Sequence, residues 1–473
     1  MKLNQVKTFF FTIFLVLIIF APIKVKAVST GILSLSGNLV QNKVLQGSNA
    51  DITFSLIIQA DEISPLSSIP QQNVDMVIVL DRSGSMRGKK LRDAKHALLS
   101  LINSLRSQDR FALVTYSDNA RIHSNLLPMT HYNRQMIISE INQTYAAGGT
   151  NLGAGLQQGL NLLANAPYRS NPDKLDKPAN PGKLILISDG LANKGITSYF
   201  ALGNMASVAV EENFSISTIG VGLEFNEQLM SYIADQGAGN YYYLENPNAF
   251  AQVFKREFRQ LKSAAVTGIE IKIPLSGEIS LIRASGYPVR IENNCAVFNP
   301  GNLRSGQSRK FFLTLKVPTT KEKSFSLNPI QVDYQHAGNK YTAKLPDKFN
   351  ITCVKNTIKN KQAVFSSIKK DEWAQKVLQD DFNMLKEEVA VDIKSGNKQR
   401  AMEKIQRYHI ENESVNAVVD SKAVKKNLDQ EVDQLKDYVL ETFEGKPAAV
   451  IMKQKKNSKE LQYEGYKGRR SVK

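Results

Sequence analysis

Residues 77–86 read VIVLDRSGSM. An apolar run ends in a carboxylate, Asp81, and two hydroxyls follow at alternate positions, Ser83 and Ser85, with Gly84 between them. Carboxylate and hydroxyl oxygens are hard donors. Several of them aimed at one point suit a hard divalent cation, Mg²⁺ above all. Two other places supply the same donor type. AGGTNLGAGL (147–156) is a glycine-rich loop opening a helix, and it carries Thr150. LILISDG (184–190) is an apolar run ending in Asp189. The candidate metal set is therefore Asp81, Ser83, Ser85, Thr150 and Asp189. A phosphate-binding loop is the rival reading of Gly148, Gly149, Gly153 and Gly155, but GxxxxGK[ST] is missing.

For these donors to meet, the two aspartates must end neighbouring strands. The chain from 74 to 262 is patterned for that. Apolar runs at 74–80, 110–116, 183–188, 215–222 and 240–245 read as strands. Amphipathic segments at 90–105, 135–142, 152–164, 226–234 and 249–261 read as helices between them. Near-continuous apolar strands alternating with helices predict an α/β domain, a doubly wound and mostly parallel sheet covered on both faces. In such sheets ligands bind beyond the carboxyl ends of the strands, where Asp81 and Asp189 would stand.

With those residues in place, the segment 72–262 resembles the von Willebrand factor type A (VWA) domain and its metal-ion-dependent adhesion site. Asp81-x-Ser83-x-Ser85, Thr150 after two glycines and Asp189 after an apolar strand fall in that family's order and at its separations. The resemblance implies that Ser83, Ser85 and Thr150 supply hydroxyls to Mg²⁺, with Mn²⁺ or Ca²⁺ as alternatives. Asp81 and Asp189 act directly or through water. It also implies a coordination position left for an Asp or Glu of a protein partner. Two aspartates leave no surplus negative charge on a divalent ion, so it favours an incoming carboxylate.

The flanks read differently. Residues 28–71 and 263–356 are β-rich, and the first piece has too few strands to be stable alone. Together they predict one β-sandwich with the VWA-like domain inserted in it. Residues 357–445 carry helical stripes, one through Leu378, Phe382, Leu385, Val389 and Ile393, another through Leu428, Val432, Leu435 and Val439. Residues 446–473 hold nine Lys or Arg and two Glu and are expected to form a disordered basic tail. This arrangement resembles bacterial secreted or envelope VWA proteins of the calcium-activated chloride channel-like group. No channel activity is carried over with that likeness, because no segment after residue 27 reads as a pore through lipid.

At 473 residues and 42% hydrophobic content the chain is a multi-domain globular protein, and its net charge of +17 favours anionic neighbours. Residues 1–27 join Lys2 and Lys7 to an apolar run, 9–23, and end in VKA. They read as a cleaved secretory signal, with an uncleaved membrane anchor as the alternative. Residues 28 onward are then expected outside the cytoplasm, in the periplasm, at the cell surface or secreted. No nucleic acid partner is expected there, and no later stretch reads as a transmembrane span. The two cysteines, Cys295 and Cys353, are expected to form a disulfide in such a compartment.

No catalytic role is expected. The five histidines, 96, 123, 131, 336 and 409, are scattered, and neither HExxH nor GxSxG occurs. The leading expectation is a protein-binding or adhesion module that captures a carboxylate through a metal ion. One alternative is an envelope scaffold recruiting partners or anionic lipid through its helices and basic tail. A second is a metal-dependent hydrolase, for which no general base can be nominated.

Overall fold

The strand Asp75–Asp81 is buried at every position, which fits the apolar run Met76–Leu80 at its centre. In the computed structural model it lies inside a six-stranded sheet. The structure describes residues 31–49, 51–63, 73–166, 180–212, 214–275, 278–345 and 348–470. Strand order in that sheet is Ala120–Pro128, Arg110–Tyr116, Asp75–Asp81, Gly182–Ser188, Phe214–Val221, Ala238–Leu244. All neighbours pair in parallel except the edge strand Ala120–Pro128. Helices Lys89–Ser104, His131–Gln143 and Phe250–Lys262 cover one face, and Leu152–Ala164, Tyr199–Glu211 and Glu227–Gln236 the other. This is the doubly wound α/β domain that the pattern predicts. Two of its elements lie outside the strand and helix segments named above, although the sequence around His123 also reads as a strand. Ala120–Pro128 is a half-exposed edge strand with little apolar alternation. Tyr199–Glu211 leaves Phe200 and Val208 in solvent, so its apolar residues form no single stripe.

The sandwich forms across the insertion. Asp51–Ala60 pairs antiparallel with Leu33–Leu39 on one side and with Ser308–Lys316 on the other. Lys43–Leu45 pairs with Phe349–Val354. The chain before the α/β domain is thus hydrogen-bonded to the chain after it, and one apolar core holds Phe54, Leu56, Ile271, Phe298, Phe311 and Ile351 together.

The helical region follows its predicted stripes except at Leu378, which is half-buried while its neighbour Val377 takes the core position. Phe382, Leu385, Val389 and Ile393 of Phe382–Lys394 are buried with Leu428, Val432, Leu435 and Val439. Gly396 ends the first of these helices in the left-handed region, φ +75°.

Two expectations are corrected. Cys295 and Cys353 are free thiols, not a disulfide. They belong to different sheets: Cys295 lies opposite Pro274 and Glu292, Cys353 opposite Lys323 and Val44. The basic tail is not disordered. Residues Pro447–Arg469 form a 23-residue helix. Its apolar content is too low to announce a packed helix, and charged pairs anchor it instead. Gly465 lets it approach Phe382–Lys394 closely, since a Cβ there would lie 2.4 Å from the Asn383 carbonyl oxygen. Lys459, 3% exposed, donates to Glu227 Oε2 at 2.5 Å and to the Phe225 carbonyl at 2.7 Å, both in the α/β domain. Arg469 forks onto Glu387 with two bonds of 2.7 Å and reaches the Ser285 carbonyl at 2.7 Å. Arg470 pairs with Asp235 at 2.5 Å while lying 3.6 Å from the Tyr287 ring centroid. One helix therefore ties the α/β domain, the sandwich and the helical region together. The predicted signal segment, residues 1–27, lies outside the described residues, and among those described no helix is long and apolar enough to cross a membrane.

Two tests follow from these buried charges. Arg469→Ala strands Glu387 and lowers stability by about 3 kcal/mol, whereas Lys455→Ala, at the exposed pair with Glu224, changes it by less than about 1 kcal/mol. Thermal denaturation of the two variants side by side measures this. Asp380 is buried beside Asp381, and neither of its carboxylate oxygens has a hydrogen-bond partner. Burial first, then the charge of Asp381, pushes its pKa up to about 6, against the pull of Arg283. Between the ordinary carboxylate value and that raised value the folded state binds more protons than the unfolded chain. The cost of the buried charge is therefore present at pH 7 and relieved as pH falls through about 6 towards 4. Asp380→Asn should stabilise by about 2 kcal/mol at pH 7 and by almost nothing near pH 4, read as melting temperatures at both values.

Candidate metal site

The order of the sheet creates the site. From Asp75–Asp81 the chain moves to one side, to Arg110–Tyr116, and later returns on the other side as Gly182–Ser188. A crevice opens where the winding reverses, at the carboxyl ends of these strands. Register aligns Leu80 with Ile187, so Asp81 and Asp189 emerge on one rim. Both are fully buried.

Three loops meet there. Ser83 to Met86 turns tightly, with Met86 buried beneath it. The Gly84 N–H donates to the Gly148 carbonyl at 3.0 Å, and the Ala147 N–H donates to the Arg82 carbonyl at 2.8 Å. These bonds join the serine turn to the threonine loop. The Thr150 N–H donates to Asn193 Oδ1 at 2.9 Å, and the Asn193 N–H donates to the Thr150 carbonyl at 3.1 Å. That pair joins the threonine loop to the segment after Asp189. Asn151 then caps Leu152–Ala164 by accepting from the Ala154 N–H.

All five sequence-predicted donors are brought together. Ser83 Oγ and Ser85 Oγ lie 3.0 Å apart, and Ser85 Oγ donates to Asp189 Oδ1 at 2.7 Å. Asp81 Oδ1 accepts from the Ser83 N–H at 2.8 Å, and Asp81 Oδ2 accepts from Ser188 Oγ at 2.9 Å. A Cβ on Gly190 would lie 3.4 Å from Thr150 Oγ1 and 3.5 Å from Ser85 Oγ, so those two oxygens face one space beside Gly190. Ser83 and Thr150 are buried, whereas Ser85 is exposed and opens the cluster to solvent.

Sequence reasoning missed several supporting residues. Lys90, in the first turn of Lys89–Ser104, donates to Asp189 Oδ2 at 2.5 Å. Asp118 accepts from the Gly149 N–H at 2.9 Å and pairs with Lys194, which holds its carboxyl below the usual range. Tyr116 donates to the Ile187 carbonyl at 2.8 Å, bracing the two strand ends. No motif marks these positions. Ser188 alone was in view, as the residue before Asp189. The histidines stand apart from the cluster: His123, for example, is engaged by Thr115 at 2.8 Å and Glu140 at 2.6 Å.

Burial, with the charge of Asp189 adding, pushes Asp81 up to about 6, although hydrogen bonds from Ser83 and Ser188 oppose the rise. A cation among these oxygens favours the charged carboxylate. Two carboxylates and three hydroxyls are hard ligands, and the residues present fit a hard divalent ion.

Residues 75–256 match the family model of the von Willebrand factor type A domain. This part of the chain is a VWA domain, a class whose members commonly bind a divalent metal and mediate protein–protein interaction, and no catalytic family is indicated. Among related sequences, the uncharacterized protein sll0103 of Synechocystis is 24% identical over 59% of this chain and 66% of its own length. YfbK of Escherichia coli is 29% identical over 50% of this chain and 40% of its own. Inter-alpha-trypsin inhibitor heavy chain H1 of Mesocricetus auratus is 26% identical over 45% of this chain and 23% of its own. The chain thus spans less than two thirds of these relatives. A solved VWA protein of Catenulispora acidiphila shares the fold over 92% of this chain and 97% of its own, with TM-score 0.63 and 17% identity. The ArnB paralog VWA2 of Sulfolobus acidocaldarius does so over 91% and 99%, with TM-score 0.51 and 14% identity.

The threonine loop carries a sharp test. Gly148 has φ +78°, and a Cβ there would lie 2.6 Å from Asp118 Oδ2. Gly84 would meet nothing nearer than 3.6 Å. Gly148→Ala should cost about 1–2 kcal/mol and Gly84→Ala less than about 1 kcal/mol, compared by chemical denaturation.

Proposed function

We propose that this chain is an extracytoplasmic protein-capture module that binds a partner's Asp or Glu side chain through a divalent ion, Mg²⁺ in the first instance, held by Asp81, Ser83, Ser85, Thr150 and Asp189. The observation that carries the reading is the meeting of these five donors from three loops at the switch point of a VWA sheet, with Ser85 open to solvent. When bound, such an ion supplies an electrophilic position that a carboxylate can complete. The chain's own residues do the rest. Asn193 and the backbone bonds of Gly84 and Ala147 hold the loops in mutual register. Ser188 and the Ser83 N–H orient Asp81. Tyr145 and Leu191, 70% and 57% exposed, offer apolar contact on the loops beside the donors, and Arg82 lies against the Tyr145 ring. These features suit a protein surface better than a small molecule.

The scaffold alternative loses its main support. Cations expected to be free in the tail face carboxylates of this chain: Lys455 meets Glu224, Lys456 meets Glu245, Lys459 meets Glu227, Arg469 meets Glu387 and Arg470 meets Asp235.

Titration calorimetry with Mg²⁺ on the chain from residue 28 tests the reading. One ion should bind the wild type, and Asp81→Ala should abolish the signal. Lys90→Met, which frees an oxygen of Asp189, should tighten binding by about tenfold. Partner capture should disappear in EDTA. A folded wild type that binds no divalent ion, alone or with an acidic peptide present, refutes the proposal.

A further inference from the structure

Away from the metal site, a cavity of about 670 Å³ lies where the three parts of the chain meet. Its walls come from the VWA edge strand Ala238–Leu244, the helix Phe250–Lys262, the sandwich segment 300–309, the helix Phe382–Lys394 and the terminal helix. Seven Lys or Arg side chains line it against one carboxylate, Glu464. Three of the seven are neutralised by the chain itself: Lys183 by Glu257 at 2.7 Å, Lys386 by Glu464 at 3.4 Å and Arg470 by Asp235 at 2.5 Å. The other four are Arg256, Arg304, Arg309 and Lys467. Among the described residues none of these four has an ion pair. Arg309 is held by the carbonyls of Pro300 and Asn302, and Lys467 lies over the Tyr463 ring at 5.5 Å. Neither interaction brings a negative charge.

Four uncompensated cations around one concavity repel each other, and low-dielectric walls focus their field into the space between them. We infer that this interdomain cavity is a binding site for a small polyanion carrying at least two carboxylate or phosphate groups. Guanidinium groups present paired N–H donors that match both oxyanions. The volume is that of a small-molecule site. Because the walls belong to all three regions, a bound polyanion bridges them and stabilises their assembly. The site shares no residue with the metal cluster, so it stands whether or not that cluster binds an ion.

Inorganic pyrophosphate and citrate are the probes, titrated separately into the full chain in divalent-free buffer at low salt. Heat and melting temperature are both recorded. Arg256, Arg304 and Lys467 are exposed, so the triple variant Arg256→Ala/Arg304→Ala/Lys467→Ala keeps the fold, which its unliganded melting temperature checks. A second variant, Arg82→Ala/Arg87→Ala, removes cations beside the metal site instead. The expected result is one-to-one binding of at least one probe, a raised melting temperature, a loss of about tenfold or more in the triple variant and no loss in the second. Preference for pyrophosphate assigns the natural ligand to the phosphates, and preference for citrate to the carboxylates. Binding of neither probe at millimolar concentration, or equal weakening in both variants, overturns the inference.

Discussion

The parallel pairing of Asp75–Asp81 with Gly182–Ser188 is the constraint on which the site depends. Both strands are buried on both faces, so neither can slip without moving apolar side chains out of the two cores. Their fixed register brings two carboxylates to one rim, although Asp81 and Ser188, which bonds to it, are 107 positions apart in sequence. Two like charges at that distance from water are unfavourable alone. The local answer is a shell of hydroxyl and amide donors, with Lys90 on one carboxylate and none on the other. The asymmetry leaves Asp81 as the group whose charge most needs a further cation.

The same economy of charge governs assembly of the whole chain. Glu227, Asp235 and Glu387 are carboxylates on two different regions, and each receives a Lys or Arg of the terminal helix. Apolar packing contributes Leu461 and Tyr466, whose hydroxyl accepts from the Tyr241 N–H at 3.1 Å. Buried ion pairs are costly to desolvate and demand good geometry. They therefore select one docking arrangement where a smooth apolar seam would tolerate several. A helix held this way fixes how the VWA domain sits against the regions on either side of it in sequence.

The donor set and the sheet were legible in the sequence because their signals are local. An apolar strand followed by Asp81 needs no partner to be recognised, and neither does the glycine-rich entry to Leu152–Ala164. The terminal helix was not legible for the opposite reason. Its anchoring residues are Lys459, Arg469 and Arg470, and a cation reads as solvent-exposed until the carboxylate opposite it is known. Those carboxylates lie more than 80 positions away in sequence. The cysteines misled in the same way. Two strand-like settings and an even count suggest pairing, but which sheet each strand joins depends on tertiary register. Lys90 was hidden too, since its bond to Asp189 spans 99 positions.

A net charge of +17 is thereby given a different meaning from the one composition suggests. Exposed charges are screened within about 10 Å at ordinary ionic strength, so a global excess steers approach without choosing a binding place. Location is decided by cations lacking an internal carboxylate. The terminal helix, the most basic stretch by eye, mostly fails that criterion, because Lys455, Lys456, Lys459, Arg469 and Arg470 pair with acids of the same chain. The four cations of the interdomain cavity meet it, whereas Arg82 beside the candidate metal site also acts on the Asp118 carboxylate. Part of the surplus is gathered in the interdomain recess proposed for a compact polyanion, apart from the rim of the VWA site proposed to meet an acidic protein side chain. Net charge alone cannot distinguish these from a uniformly basic surface, because the distinction lies in which charges the fold has already neutralised.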